Sequence, residues 1–187
     1  MTAFLAAFVA TFIAEMGDKT QLVTLTLSSR LSPRLVFTGA MAALAIVTGL
    51  GVALGGVISE LLPPYAAALA GGIFFVFMGF FTFFKREDRS QTKTSGRSAL
   101  TQTFSLVFLA EMGDKTQLAA MALTATFGAP LQVFAGAMLG QALNHGLAAF
   151  LGARYLSLLP PRFLKVATLL IFIFFGIIMI YGGYLQM

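Results

Sequence analysis

Six long apolar runs, separated by charged and Pro- or Gly-containing segments, divide this chain. They lie near residues 2–28, 35–59, 65–84, 99–126, 130–153 and 163–184. Each is close to the ~20 residues that cross a bilayer as a helix. Runs such as IFIFFGIIMI (171–180) are apolar on both faces, whereas a β-barrel strand would alternate. The pattern predicts an all-α integral membrane protein with six transmembrane helices.

Composition agrees with a membrane protein. Hydrophobic residues make up 58% of the chain, charged residues 10%, and the mean hydropathy is +0.90, which leaves too little polar surface for a soluble globule. The chain has no cysteine, which excludes disulfides, thiolate metal sites and cysteine nucleophiles. The N-terminal apolar stretch has no basic region before it and continues through Glu15 without a small-residue cleavage site. We therefore interpret it as the first span rather than as a cleaved signal peptide.

Positive charge is confined to one side of the predicted membrane. If the six spans alternate, all of the 12 Lys and Arg residues except Lys19 and Lys115 fall on the same side. The positive-inside rule makes that side cytoplasmic and places both termini outside. The basic stretch KREDRSQTKTSGR (85–97) is then a cytoplasmic linker rather than a nucleic-acid or lipid patch, because it is short, mixed in sign and required there by topology.

The linker separates two halves that resemble each other. Residues 12–15 (FIAE) align with 108–111 (FLAE), and, after one added residue, 39–41 align with 136–138 and 62–64 with 159–161. Residues 1–84 and 99–187 are thus predicted to be two three-helix repeats joined by a linker at 85–98. Because three is odd, the second repeat must cross in the opposite sense, an inverted arrangement typical of transporters.

The octapeptide EMGDKTQL occurs inside an apolar run at 15–22 and again at 111–118. Both copies lie roughly 18–20 Å into their spans at 1.5 Å per residue, near the middle of the bilayer. A charge there costs about 3 kcal/mol, so the six charges of the two copies would cost roughly 15–20 kcal/mol if they faced lipid. They must face one another or water. Gly17 and Gly113 permit either close helix approach or local unwinding.

The two copies supply an all-oxygen set that suits a hard divalent cation such as Mn²⁺, Ca²⁺ or Mg²⁺. The predicted ligands are Glu15, Asp18, Glu111 and Asp114, with support from Thr20, Gln21, Thr116 and Gln117. Lys19 and Lys115 balance charge, so that four carboxylates and two ammoniums sum to −2. One divalent cation or two protons would neutralise this sum, which indicates exchange. The metal is then a transported substrate, and no cofactor is expected. The alternative is a salt-bridge lattice that only holds the halves together.

Gln141, Asn144 and His145 form a polar patch on the fifth predicted helix, where the first repeat has Leu44, Val47 and Thr48. A single buried histidine is usually an interior hydrogen-bonding group. Imidazole also exchanges protons near neutral pH, which makes His145 a candidate proton relay. Gly51-x-x-x-Gly55 and Gly136-x-x-x-Gly140 match a pattern for close helix packing.

The repeated EMGDKT resembles the E-x-G-D-[KR]-[TS] family of divalent-cation/proton exchangers, which includes Golgi and thylakoid manganese/calcium transporters and bacterial manganese exporters. The resemblance spans essentially the whole chain. It implies that Glu15, Asp18, Glu111 and Asp114 form the cation pathway. Bacterial members imply Mn²⁺ export, and some eukaryotic members imply Ca²⁺ transport. The lack of an organellar targeting extension favours a bacterial inner membrane.

Other functions remain open at this point. An exporter of amino acids or other small zwitterions could use a site with both signs of charge, and an assembly factor in the membrane would transport nothing. An intramembrane aspartyl protease also needs two facing Asp residues, but Glu15 and Glu111 replace the first glycine of its G-x-G-D motif, and a lysine follows each Asp. The sequence therefore predicts a transporter and not an enzyme.

Overall fold

The computed structural model describes residues 2–84, 98–152 and 161–187. These residues form helices, with no strand among them. The elements are α1 Ala3–Glu15, α2 Lys19–Ser28, α3 Pro33–Leu61, α4 Pro64–Phe84, α5 Ala99–Glu111, α6 Lys115–Phe127, α7 Pro130–Gly146 and α8 Pro161–Tyr184. A π-helical turn, Leu147–Leu151, continues α7. The prediction of an all-helical membrane protein is confirmed in this coarse form.

Three helices are long and apolar enough to cross a membrane within the described ranges. They are α3, α4 and residues 162–184 of α8, with mean hydropathies of 2.2, 2.1 and 2.7. The first and fourth predicted spans, 2–28 and 99–126, are instead each divided into two shorter helices, α1 with α2 and α5 with α6. Of the two interpretations that the sequence left open for the motif glycines, local unwinding is observed. Six crossings remain a prediction, as do the repeat boundaries.

Local sequence signals explain several of the helix ends. The Thr2 and Ser98 side chains accept hydrogen bonds from the backbone N–H of Leu5 and Thr101, and so cap α1 and α5. Pro33 and Pro130 occupy the first turns of α3 and α7, where a missing N–H costs nothing. The predicted linker at 85–98 lies outside the described residues except for Ser98, and so does most of the predicted match at 159–161.

The helices pack in crossed pairs between the two halves of the chain. α1 lies along α7, and α3 lies along α5 and α6. Gly136 and Gly140 meet the backbone of α1, and Gly51 and Gly55 meet that of α6. A Cβ atom would collide with that backbone at Gly136, Gly51 and Gly55, and at Gly140 it would lie only 3.0 Å away. The two small-residue patterns are therefore packing positions. α4 and α8 form a separate pair, and they contact α6 and α1 respectively.

Candidate metal site

Both copies of EMGDKTQL interrupt a helix at the same three residues. α1 ends at Glu15 and α2 begins at Lys19, while α5 ends at Glu111 and α6 begins at Lys115. The central glycines adopt positive φ angles, 77° at Gly17 and 76° at Gly113, a conformation that costs glycine little. The identical octapeptides thus encode the same local break.

A glutamine in each copy supports the break from within. The N–H of Gly17 donates to Gln21 Oε1 at 2.6 Å, and the N–H of Gly113 donates to Gln117 Oε1 at 2.7 Å. The amide groups reach across to the other half, where Gln21 Nε2 donates to the Asn144 carbonyl at 3.0 Å and Gln117 Nε2 donates to a carbonyl of α3 at 3.2 Å. The two predicted supporting glutamines therefore hold the unwound segments in place, and their oxygens already accept glycine N–H groups.

The two glutamates are fully buried at the ends of their helices. Thr20 Oγ1 donates to Glu15 Oε2 at 3.4 Å, and Thr116 Oγ1 donates to Glu111 Oε2 at 2.9 Å. The second oxygen of each carboxylate, Oε1, is buried with no hydrogen-bond partner among the described residues. A buried carboxylate oxygen without a partner is costly, so each of these atoms is suited to hold a cation or a proton.

Three carboxylates from both copies converge. Ligand oxygens of Glu15, Asp18 and Glu111 all lie within 4.8 Å of one another. Two ligands of one hard cation, each at about 2.0–2.6 Å from it, are at most about 4–5 Å apart, so the cluster fits a single ion. Asp114, the fourth predicted ligand, is not part of this group. Its carboxylate lies 3.2 Å from Lys115 Nζ and 3.7 Å from Lys19 Nζ.

The two predicted charge-balancing lysines occupy different environments. Lys115 is buried, with 9% of its side chain exposed, and its ammonium forms ion pairs with both Asp18 and Asp114. Lys19 has 42% of its side chain exposed, and the ion pair that joins it to Asp114 is long, at 3.7 Å. Only Lys115 is enclosed in the carboxylate cluster.

His145 is buried beside the first glutamate. Its Nδ1 lies 2.8 Å from Thr24 Oγ1, within hydrogen-bond distance, and its Nε2 lies 3.7 Å from Glu15 Oε2. Nε2 is buried and has no hydrogen-bond partner among the described residues. At the equivalent place in the first half, Thr48 hydrogen-bonds with Gln141 at 3.1–3.2 Å. The proton-relay role of His145 remains a prediction.

A family comparison decides the class of protein. The profile of the family described as divalent cation/proton antiporter GDT1 matches residues 3–90 and 99–187. The chain belongs to the GDT1 family. The resemblance inferred from the repeated motif is thereby confirmed at the level of the family, which is one of transporters and not of enzymes.

Relatives that match this chain include proteins of plants and of a cyanobacterium. The chain is 32% identical to protein PAM71, chloroplastic, of Arabidopsis thaliana, over 83% of this chain and 49% of the relative. It is 27% identical to the chloroplastic GDT1-like protein 2 of rice, over 96% of this chain and 61% of the relative. GDT1-like protein sll0615 of Synechocystis is 29% identical to the chain, over 84% of this chain and 85% of the relative. The chain thus spans about half to three-fifths of the plant proteins. No solved structure matches.

One contributor to the site of this GDT1 protein was not predicted from the sequence, and the contacts of a second were not predicted. Thr24, the partner of His145, was not singled out, although its place four residues after Thr20 puts it on the same helical face. Asn144 was identified only as part of a polar patch, yet it accepts from Gln21 and donates to the Phe12 carbonyl at 2.7 Å. Such contacts between distant parts of the chain have no signal in a single sequence.

Proposed function

We propose that this GDT1 protein exports Mn²⁺ from the cytoplasm in exchange for protons. The observation that carries the proposal is the buried cluster of Glu15, Asp18 and Glu111, whose oxygens lie within 4.8 Å of one another and come from both motif copies. A site made by both halves is suited to transport, because relative movement of the halves can change the side from which the ion is reached. Asp114 lies beside this cluster and joins it through Lys115.

The proposal includes six crossings arranged as two inverted three-helix repeats, residues 1–84 and 99–187. Three features support it. The two breaks have matching geometry, the cross-pairing of α1 with α7 corresponds to that of α5 with α3, and the family profile matches in two stretches. Each broken pair, α1 with α2 and α5 with α6, then crosses once, with the carboxylates near the midplane.

Proton coupling follows from the chemistry of the ligands. A carboxylate oxygen cannot hold a proton and a metal ion at the same time, so protonation and metal binding compete. The partnerless Oε1 atoms of Glu15 and Glu111 are the places where this competition would be strongest. Return of the protonated site after metal release completes an exchange cycle.

The environment of Glu15 favours Mn²⁺ over Ca²⁺ as the substrate. The 3.7 Å between His145 Nε2 and Glu15 Oε2 is compatible with two ligands of one ion, whose separation is at most about 4–5 Å. If Nδ1–H donates to Thr24, the lone pair of Nε2 is left to face Glu15. Imidazole binds first-row transition metals, whereas Ca²⁺ and Mg²⁺ prefer oxygen ligands. His145 lies outside the group of Glu15, Asp18 and Glu111 in this conformation, and we propose that it becomes a ligand beside Glu15 when Mn²⁺ binds and so selects Mn²⁺.

We further propose a bacterial inner membrane, with both termini outside and the basic linker in the cytoplasm. The distribution of Lys and Arg along the sequence supports this orientation of the termini and the linker. A cysteine placed in the linker should react with a membrane-impermeant thiol reagent only from the cytoplasmic side, and one at Gln186 only from outside. The opposite labelling would contradict the proposed orientation.

The competing hypothesis is an exporter of amino acids or other zwitterions. Such a site would need a cation for the substrate carboxylate, and in this conformation the buried ammonium of Lys115 is paired with Asp18 and Asp114. A ligand that binds the folded protein raises its unfolding temperature. We expect Mn²⁺, and not a panel of amino acids, to do so here.

Reconstituted liposomes test the function itself. Protein in liposomes that contain a metal-sensitive dye should admit Mn²⁺ faster than protein-free liposomes, and Asp18→Asn protein reconstituted to the same density should not. If liposomes that contain folded wild-type protein take up Mn²⁺ no faster than protein-free liposomes, the protein is not a transporter and the assembly-factor alternative is favoured.

A further inference from the structure

The buried ammonium of Lys115 lies against a carboxylate of the proposed metal site. Lys115 follows the break in the second half, and its Nζ pairs with Asp18 of the first half as well as with the adjacent Asp114 at 3.2 Å. Asp18 is also one of the three residues whose oxygens cluster within 4.8 Å. The Asp18 carboxylate therefore pairs with a lysine in this structure and, on the proposed function, also binds the transported ion.

A buried carboxylate cluster needs a counter-charge whenever the metal is absent. Leaving several carboxylates without compensation in a low-dielectric interior is expensive. Lys115 supplies a positive charge that is covalently part of the protein. Because only 9% of its side chain is exposed, water screens its attraction to the carboxylates less than it would at the surface. A second cation on Asp18 would be repelled by the first.

We propose that Lys115 is a tethered substitute for the transported cation. Its ammonium occupies Asp18 while the site holds no divalent cation, and a divalent cation displaces it from Asp18 on binding. The inference rests on the proposed metal site, and it assigns to one motif lysine a role that its sequence-identical counterpart, Lys19, does not share in this conformation. Lys19 has 42% of its side chain exposed, and it pairs with Asp114, which lies outside the group of Glu15, Asp18 and Glu111.

Measured affinity for Mn²⁺ provides the first test. Free Mn²⁺ can be counted by its electron paramagnetic resonance signal in detergent-solubilised protein at fixed pH. Lys115→Met should bind Mn²⁺ at least 10-fold more tightly than the wild type, because the competing ammonium is gone. Lys115→Arg keeps a positive charge beside Asp18 and should therefore bind Mn²⁺ less tightly than Lys115→Met. Lys19→Met removes an equal charge at the matching position and should tighten binding less than Lys115→Met.

A second measurement uses the wild-type protein and does not depend on whether a variant folds. Displacement frees the Lys115 amine, so Mn²⁺ should increase its modification by a small amine-reactive reagent, read by peptide mass spectrometry. Modification of Lys19 in the same sample gives the internal reference. Labelling of Lys115 that Mn²⁺ leaves unchanged or lowers would contradict displacement.

The outcomes distinguish failure of the role inferred for Lys115 from failure of the proposed function. If wild-type protein binds Mn²⁺ but folded Lys115→Met binds it no more tightly, Lys115 is a fixed part of the site and this inference fails while the proposed function stands. If neither protein binds Mn²⁺, nor any other divalent cation, the proposed function itself fails.

Discussion

The two copies of EMGDKTQL share one backbone and differ in what surrounds it. Both end a helix at glutamate, pass through a glycine with φ near 76–77°, and use glutamine to hold the glycine N–H. Yet Gly17 lies against Leu164 of α8, whereas nothing lies within 4 Å of a Cβ built on Gly113. Met112, next to Gly113, is 50% exposed. Eight identical residues thus fix the local break, and the packing of the other helices decides how each copy is used.

The difference extends to the charged groups. Lys115 is enclosed and Lys19 is not. Glu15 has an imidazole 3.7 Å away, and the matching position in the first half carries Thr48, which is engaged with Gln141. The two identical octapeptides therefore lie in different surroundings. Variants at matched positions can measure that difference.

The two aspartates should give the largest contrast. Asp18→Asn removes a member of the three-carboxylate cluster without changing its shape, and we expect Mn²⁺ affinity to fall by about 100-fold or more and flux to be lost. Asp114→Asn removes a neighbour of the cluster, and a loss of about 10-fold in affinity is expected, within the 10–100-fold range typical of groups that support ligands. Both affinities can be measured by Mn²⁺ titration of the folded variants. Equal losses of Mn²⁺ affinity would show that Asp114 is a full ligand. Wild-type Mn²⁺ flux in both variants would contradict the proposed carboxylate site.

His145 should affect the choice of metal more than binding in general. His145→Gln is expected to weaken Mn²⁺ binding about 10-fold and Ca²⁺ binding less than about 3-fold, because an imidazole nitrogen favours the transition metal. The chain contains a single histidine. In protein freed of any histidine tag, imidazole-nitrogen coupling in the pulsed paramagnetic resonance spectrum of bound Mn²⁺ can therefore come only from His145. Parallel weakening of both metals, with no nitrogen coupling, would contradict the ligand role.

The glycines should give a smaller contrast, in stability. Ala at either position must adopt a left-handed conformation, which costs about 1–3 kcal/mol. Gly17→Ala must also displace the side chain of Leu164, whereas the space around Gly113 is open. The thermal unfolding temperature in detergent should thus fall further for Gly17→Ala than for Gly113→Ala. The reverse order would mean that α8 does not cover the first break.

Much of this arrangement can be predicted from the sequence because it is encoded locally or by composition. Apolar length indicates membrane helices, and charges inside apolar runs indicate a buried polar site. The repeat of Glu15 and Asp18 at Glu111 and Asp114 indicates that the site is shared. Gly17 and Gly113 allowed either unwinding or close approach, and only tertiary structure could choose between them.

The remainder depends on long-range packing, which the sequence does not express. Nothing in two identical motifs distinguishes Lys19 from Lys115, since their difference comes from the helices that cover them. The hydrogen bond between Gln21 and Asn144 and the approach of Leu164 to Gly17 likewise join residues more than 100 positions apart. The orientation in the membrane, by contrast, rests on the sequence alone.

The central claim is that protons and Mn²⁺ use the same carboxylates in turn. The most direct test imposes a pH gradient across proteoliposomes while valinomycin and K⁺ clamp the voltage, and follows Mn²⁺ and pH with two dyes. We expect Mn²⁺ to cross the membrane in the direction opposite to the protons, and proton movement to depend on Mn²⁺. The apparent Mn²⁺ affinity should fall as the pH is lowered, because protons compete for the same oxygens. A Mn²⁺ distribution that ignores the gradient, together with an affinity that does not change with pH, would contradict exchange and indicate a uniporter or channel.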